Sequence, residues 1–158
     1  MSQPQTPTST ITIQQAEVSD LNALSMLFDQ YRVFYGQKSN SPACSHFLFE
    51  RLINHESVIF LAKINEAIVG FAQLYPGFSS VSLLPQWTLN DLYVLPDYRK
   101  RGIGKALIDR CQQLVAERQD KGLILSTAID NQNAQRLYET CGFGKDNAFH
   151  HYEWLLAR

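Results

Sequence analysis

Trp87-Thr-Leu-Asn-Asp-Leu-Tyr-Val-Leu-Pro-Asp-Tyr-Arg-Lys-Arg-Gly-Ile-Gly-Lys105 is the stretch that decides how this chain folds. Its first half, Trp87 to Val94, is rich in aromatic and β-branched residues and reads as a strand. The alternation along it breaks. Trp87 and Leu89 share one face, yet the next apolar pair is Leu92 and Val94, so the phase slips by one residue at Asn90-Asp91. A β-bulge produces such a slip, and bulges splay a strand and free backbone groups. Pro96-Asp97 ends the strand. A basic, glycine-bearing turn follows and opens a helix with Ile103, Leu107, Cys111, Leu114 and Val115 on one stripe.

The first N–H groups of a helix lack partners within it, and the helix dipole is positive there. Glycine lets the backbone turn sharply and come close to a ligand. Together these features suit an anion, phosphate above all, and Arg99, Lys100, Arg101 and Lys105 add positive charge. A solvated basic turn that merely starts a helix has the same local appearance. Two phosphate motifs fit poorly. A dinucleotide fingerprint needs a third glycine, and a P-loop needs Gly-Lys-Ser/Thr, whereas Lys105 is followed by Ala106.

Outward from this unit, Ile11 to Ala16 reads as a first strand. Ser19 is then placed to cap a helix carrying Leu21, Leu24, Leu27, Phe28 and Tyr31, which Gly36 ends. Ser41-Pro42 opens a second helix with Phe47, Leu48 and Leu52 inward. Ser57 to Ile64 and Ala67 to Tyr75 read as a hairpin across Asn65-Glu66, and Pro76 to Gln86 as a long loop. Leu123 to Ala128 is the next strand. Asp130 or Asn131 caps a short helix with Ala134, Leu137, Tyr138 and Cys141 on one stripe, ended by Gly142, and His150 to Leu156 reads as a final strand. The order is β-α-α-β-β-β-α-β-α-β. It makes an α/β (α+β) domain with a mixed, mostly antiparallel central sheet flanked by helices. Residues 11–158 make a single domain behind a disordered tail over 1–10.

Two motifs carry a resemblance. Leu92-Tyr-Val-Leu-Pro-Asp-Tyr-Arg-Lys-Arg-Gly-Ile-Gly104 and Asn131-Gln-Asn-Ala-Gln-Arg-Leu-Tyr-Glu-Thr-Cys-Gly-Phe143 resemble, in that order, the two motifs of the GNAT superfamily of acyl-CoA-dependent N-acyltransferases. The resemblance implies that N–H groups of Lys100, Arg101, Gly102, Ile103, Gly104 and Lys105 hold the pyrophosphate of acetyl-CoA. It implies that the backbone of Leu92, Tyr93 and Val94 receives the pantetheine arm as a false strand. Asn131 would reach that arm, and Asn133 either joins it or only caps the helix.

Acetyl transfer to an amine needs a proton acceptor, because an alkylammonium of pKa ~10.4 is not nucleophilic at neutral pH. It also needs an acid for the departing thiolate. In the family that acid is a tyrosine that maps onto Tyr138, which the residue pattern alone reads equally as a core tyrosine. A backbone N–H near Val94 is the candidate for stabilising charge on the carbonyl oxygen. Asp91, the one carboxylate inside the strand, is the candidate base or substrate contact, or else a strand-end carboxylate bonded to backbone. The chain is also similar to polyamine (spermidine/spermine) acetyltransferases, including the run Asp91-Leu-Tyr-Val94. Those enzymes carry a glutamate where Asn90 stands and an acidic residue where Arg32 follows Tyr31. Both changes remove negative charge, so an amine bearing a carboxylate is as good an expectation as a polycation. Tyr31, Tyr35 and the aromatic-rich stretch from Tyr75 to Trp87 either wall an acceptor pocket or pack the core.

The 158 residues are 45% hydrophobic and 18% charged, a globular balance. A net charge of −1 with one short basic cluster argues against nucleic acid. No apolar run approaches the ~20 residues of a membrane span. His150 and His151 have no metal-site spacing. Three cysteines cannot all pair, and MSQPQTPTST lacks the basic and apolar regions of a secretory signal, so a reduced cytoplasmic protein is expected. The expectation is therefore an acetyl-CoA-dependent N-acetyltransferase without metal, acting on the primary amine of a small molecule: a diamine, an amino acid or a related metabolite. The family's frequent dimers imply a homodimer. The alternatives are acetylation of protein lysines or N-termini, and a CoA-binding sensor without turnover.

Overall fold

A computed structural model describes residues 10–157; the tail expected over 1–10 lies outside them apart from Thr10. The chain forms two compact units that divide after Ser126.

The first unit is a five-stranded sheet in the order β1 (Ile11–Gln15), β2 (Val58–Ile64), β3 (Ala67–Ser79), β4 (Leu84–Val94), β5 (Leu123–Ile124). Neighbours are antiparallel except β4 and β5, which are parallel. The sheet is thus mixed and mostly antiparallel, as expected. Between β1 and β2 run α1 (Leu21–Phe34) and α2 (Ser41–Ile53), and between β4 and β5 runs α3 (Ile103–Arg118). α1 and α2 bury Leu24, Leu27, Phe28, Cys44 and Leu48 against Ile59, Leu61, Phe71 and Tyr93. α3 buries Ile103, Leu107, Ile108, Cys111 and Val115. Each fully buried leucine or isoleucine contributes roughly 1.5–3 kcal/mol.

Local chemistry sets most boundaries. A short 3-10 turn, Val18–Asp20, precedes α1, so Ser19 lies inside it and Asp20 is the cap instead. Asp20 also accepts the Glu17 N–H at 3.0 Å and the Lys63 ammonium at 3.1 Å. Gly36, at φ +81°, ends α1, its N–H donating to Val33 O at 2.9 Å. Asn40 rather than Ser41 caps α2, accepting the Ala43 N–H at 3.2 Å. Phe47 is only partly covered; the buried positions are Cys44 and Leu48. Asn65 and Glu66 both have positive φ, +48° and +66°, the geometry of a two-residue hairpin turn whose twist suits the strands without glycine.

Three expectations about strands and loops also need correction. The stretch 76–86 is mostly strand: Pro76 lies opposite Trp87 and Gly77 opposite Gln86, so the turn moves out to 80–83. Pairing across the ribbon outweighs the turn preference of its prolines, glycine and serines. The strand expected over 123–128 shortens to Leu123–Ile124, the two residues of that stretch that pair with β4. The strand expected over 150–156 does not form. The second unit, from Thr127, holds no strand among its described residues for it to pair with, and a lone strand is not stable. Tyr152, Trp154, Leu155 and Leu156 stand exposed.

The second unit is built on α4 (Gln132–Thr140). Asn131 caps it, its carboxamide oxygen accepting the Ala134 N–H at 3.2 Å. Gly142, at φ +86°, turns the chain beyond it.

Candidate functional site

The slip of phase in β4 is a bulge. Leu89 faces Leu74 and Asp91 faces Gln73, leaving Asn90 as the extra residue. The bulge sorts the side chains. Val94 points to the α3 side, where it and Leu107 lie within 3.4 Å of a Cβ built on Gly70. Tyr93 meets the rings of Tyr31 and Phe34 on α1, and the Tyr31 hydroxyl donates to Asp91 Oδ1 at 2.7 Å. One inserted residue therefore swings a carboxylate from the α3 face to the α1 face.

The same residue sorts the backbone. Before the bulge, Trp87 N–H donates outward to Gly122 O at 2.9 Å. After it, Leu95 N–H donates inward to Val69 O at 2.9 Å. With a period of two, the N–H and C=O groups of Leu92 and Val94 then point away from β3. β5 covers only Trp87 and Thr88, so among the described residues of this unit no strand lies beside the edge from Leu89 to Val94. An open edge with alternate outward N–H and C=O groups receives an extended ligand as it would a strand.

The turn after β4 prepares the start of α3. Lys100 has φ +59° and Gly102, the helix N-cap, φ +79°. Ala106 N–H, bonded to Gly102 O at 2.9 Å, is the first donor of the helix ladder. The N–H groups of Ile103, Gly104 and Lys105 precede that ladder. A Cβ built on Gly102 meets nothing within 4 Å, so the space before the turn is open to an anion. The cations differ in their engagement. Lys105 pairs with Asp109 at 2.6 Å and Arg101 lies over the Tyr98 ring. Arg99 donates through Nε to Val94 O at 2.8 Å.

Asp91, only 5% exposed, sits at the centre of a polar network. Besides Tyr31, Oδ1 accepts the Asn90 amide at 3.0 Å, and Oδ2 accepts Gln73 Nε2 at 2.8 Å. Gln73 is fully buried and accepts the Ser57 hydroxyl at 2.9 Å. The Tyr75 phenol is pushed up to about 12, by burial first and then by the negative charge of Asp91. Gln73 and Ser57 escape the motif reading, although a glutamine within Val69-Gly-Phe-Ala-Gln-Leu74 is a polar break in an apolar strand that signals such a role.

Tyr31, Asn90 and Asp91 are thus brought together, but Arg32 is not part of their group. A sequence neighbour on a helix points ~100° away, and Arg32 reaches Asp29 at 4.0 Å and Cys44 Sγ at 3.7 Å. Asp29 locks the α1–α2 connection, accepting the Ser39 hydroxyl at 2.6 Å and the Asn40 N–H at 2.8 Å. The Ser39 and Asn40 bonds outweigh burial and hold its carboxyl below the usual range. Tyr35 packs edge-on to Tyr31. In the second unit Asn131 is the helix cap and Asn133 is exposed on the first turn of α4. Tyr138 is half-buried, its ring 5.9 Å from Phe143.

Residues 22–143 match the acetyltransferase (GNAT) family. The chain is 44% identical over 142 residues to the uncharacterized N-acetyltransferase YhfO of Bacillus subtilis, covering 90% of this chain and 95% of that one. A probable acetyltransferase of Haemophilus influenzae is 35% identical over 130 residues, 82% of this chain and 87% of its own. The crystal structure of a probable acetyltransferase superposes with a TM-score of 0.89 at 39% identity, over 93% of this chain and 99% of that one. No helix among the described residues is long and apolar enough to cross a membrane.

Proposed function

The chain belongs to the acetyltransferase (GNAT) family of enzymes, and from that premise we propose that it transfers acetyl from acetyl-CoA to the primary amine of a small molecule. The observation that carries this reading is the bulge at Asn90, which opens the edge of β4 immediately before the left-handed turn at Gly102. In this reading Leu92 and Val94 hold the pantetheine arm through the outward backbone groups. Amides from Lys100 to Lys105 hold the pyrophosphate; for Asn131 at the arm the support is the match of its motif to the family's. Acetyl-CoA supplies an acyl group already activated as a thioester.

The protein's own groups manage charge and protons. The Val94 N–H opposes negative charge developing on the carbonyl oxygen. Asp91 acts through Tyr31: the phenol oxygen takes a proton from the ammonium as its own proton passes to Asp91 Oδ1, 2.7 Å away. Tyr138 is the acid for the thiolate, as the match of its motif to the family's supports. A phenol of pKa ~10 is protonated at neutral pH and can donate to a sulfur of pKa ~8.5. Asn90 beside Asp91 leaves the site with one carboxylate there, which supports a monoamine or an amino acid over a polyamine.

The reading extends to a homodimer in the cytoplasm. The exposed Tyr152, Trp154, Leu155 and Leu156 support the dimer, and an odd number of cysteines supports the compartment.

Calorimetry with acetyl-CoA, then thiol release with a panel of carboxylated and plain amines, tests the function. Binding without release by any amine or peptide leaves a CoA-binding sensor instead, and release with lysine peptides alone makes the substrate a protein. Tyr138→Phe should lower kcat about tenfold or more with acetyl-CoA affinity intact; an unaltered kcat rejects the acid.

A further inference from the structure

Arg99 engages both halves of the site at once. Its Nε bonds the carbonyl of Val94 at 2.8 Å, on the open edge of β4. Its guanidinium carbon lies 5.2 Å from the centre of the Phe34 ring and 5.4 Å from that of Tyr93. Those two rings, with Asp29, Gln30, Val33 and Ser39, line a cleft of about 470 Å³.

The lining has the chemistry of a cation seat. Aromatic faces carry negative potential and attract a cation within about 6 Å. Asp29, ionised at neutral pH and shared with Arg32 at 4.0 Å, adds part of its charge, and none of the six lining side chains is basic. The cation that sits over two of those rings is the protein's own. The Val94 carbonyl is likewise satisfied by the protein itself. Both contacts belong to one flexible, exposed side chain, on the turn where a diphosphate is expected. Arginine binds phosphate through charge-assisted, often bidentate bonds, which are stronger than a single bond to a neutral carbonyl.

We propose that Arg99 is a plug that couples the two substrates: a diphosphate at the turn draws its guanidinium off Val94 O and off the Phe34–Tyr93 pair, and the vacated rings receive the alkylammonium end of the acceptor. The proposal rests on the acetyl-CoA reading of the turn. It adds the chemical class of what the cleft binds and an order in which the substrates arrive. The step moves no electrons; one cation leaves the aromatic faces and another replaces it.

Calorimetry with n-butylamine, with and without saturating CoA, tests it. In the native protein CoA should tighten amine binding roughly fivefold or more. In Arg99→Gln the amine should bind without CoA as tightly as it binds the native protein with CoA. In Phe34→Leu, amine binding in the presence of CoA should weaken roughly five- to tenfold while CoA affinity holds. Phe34 and Arg99 are both exposed, so neither variant threatens the fold. The proposal is overturned if CoA binds yet leaves amine affinity unchanged, or if the coupling survives in Arg99→Gln. Absence of any heat with CoA instead overturns the acetyl-CoA reading beneath it.

Discussion

Replacing Asp91 by asparagine tests the polar network where it is most constrained. Asp91 receives three donors, Tyr31 at 2.7 Å and Asn90 at 3.0 Å on one oxygen and Gln73 at 2.8 Å on the other. Asparagine has a single side-chain oxygen. If that oxygen turns towards Tyr31 and Asn90, an NH2 group faces Gln73: either the Gln73 amide loses its acceptor, or Gln73 turns over and the buried Ser57 hydroxyl loses its own. If it turns towards Gln73, the Asn90 amide is left opposite an NH2 group. A buried donor without an acceptor costs about 1–3 kcal/mol. A chain of this length loses about 2–4 °C per kcal/mol, so Tm should fall by roughly 2–12 °C. Thermal unfolding followed by circular dichroism at pH 7 reads that shift. The folded fraction, assayed well below Tm, should show kcat lowered by about 100-fold or more if Asp91 takes the proton through Tyr31. A Tm within about 1 °C of the native value refutes the argument from buried donors. An undiminished kcat refutes the proton route and leaves Asp91 holding only Tyr31 in place.

Gly102→Ala places a Cβ on a residue at φ +79° without a steric clash. It should cost about 1 kcal/mol of stability and, by crowding the turn, weaken CoA binding several-fold by calorimetry; unchanged affinity would show that the turn does not contact the phosphates. Burial pushes the Cys111 thiol up to about 12 and raises that of Cys44, whereas Cys141 is only half-buried. Iodoacetamide at pH 8 should therefore label Cys141 first by mass spectrometry, and the other two only on unfolding; early labelling of Cys111 contradicts the packing of α3. Asp29 has a lowered pKa in the folded chain, held down first by Ser39 and then by the Asn40 N–H. Its contribution is present above the ordinary carboxylate range near ~3.9 and is lost as pH falls through the lower folded value. In Asp29→Asn the loss of stability measured at pH 7 should shrink as pH falls below ~4; a constant deficit across that range argues against the shift.

Sequence patterning made much of the β4–α3 unit legible. The phase slip at Asn90-Asp91, the helix opened by the glycine turn, the stop at Gly36 and the cap narrowed to Asp130 or Asn131 are local matters of steric room and hydrogen bonding within a few residues. Most of the α3 stripe was readable too, because a period of 3.6 needs no knowledge of its partner; buried Ile108 escaped it and Leu114 is only partly covered. Reading failed where a distant partner decides. Pro76 and Gly77 look like turn residues until Trp87 and Gln86 pair with them. The residues 150–156 look like a strand, yet a strand exists only beside another.

What the chain determined by itself is the chemistry on offer: a bulged strand, a glycine turn rich in positive charge, one carboxylate in the strand and a tyrosine on a short helix. Only the tertiary structure decided which groups meet. Tyr31 reaches Asp91 across 60 residues of chain and Gln73 reaches it across 18, while Arg32, one residue from Tyr31, turns to Asp29 and Cys44. Register across a sheet and rotation about a helix axis assign those partners. Neither is set by neighbours in sequence; both follow from how the sheet and helices bury their apolar faces.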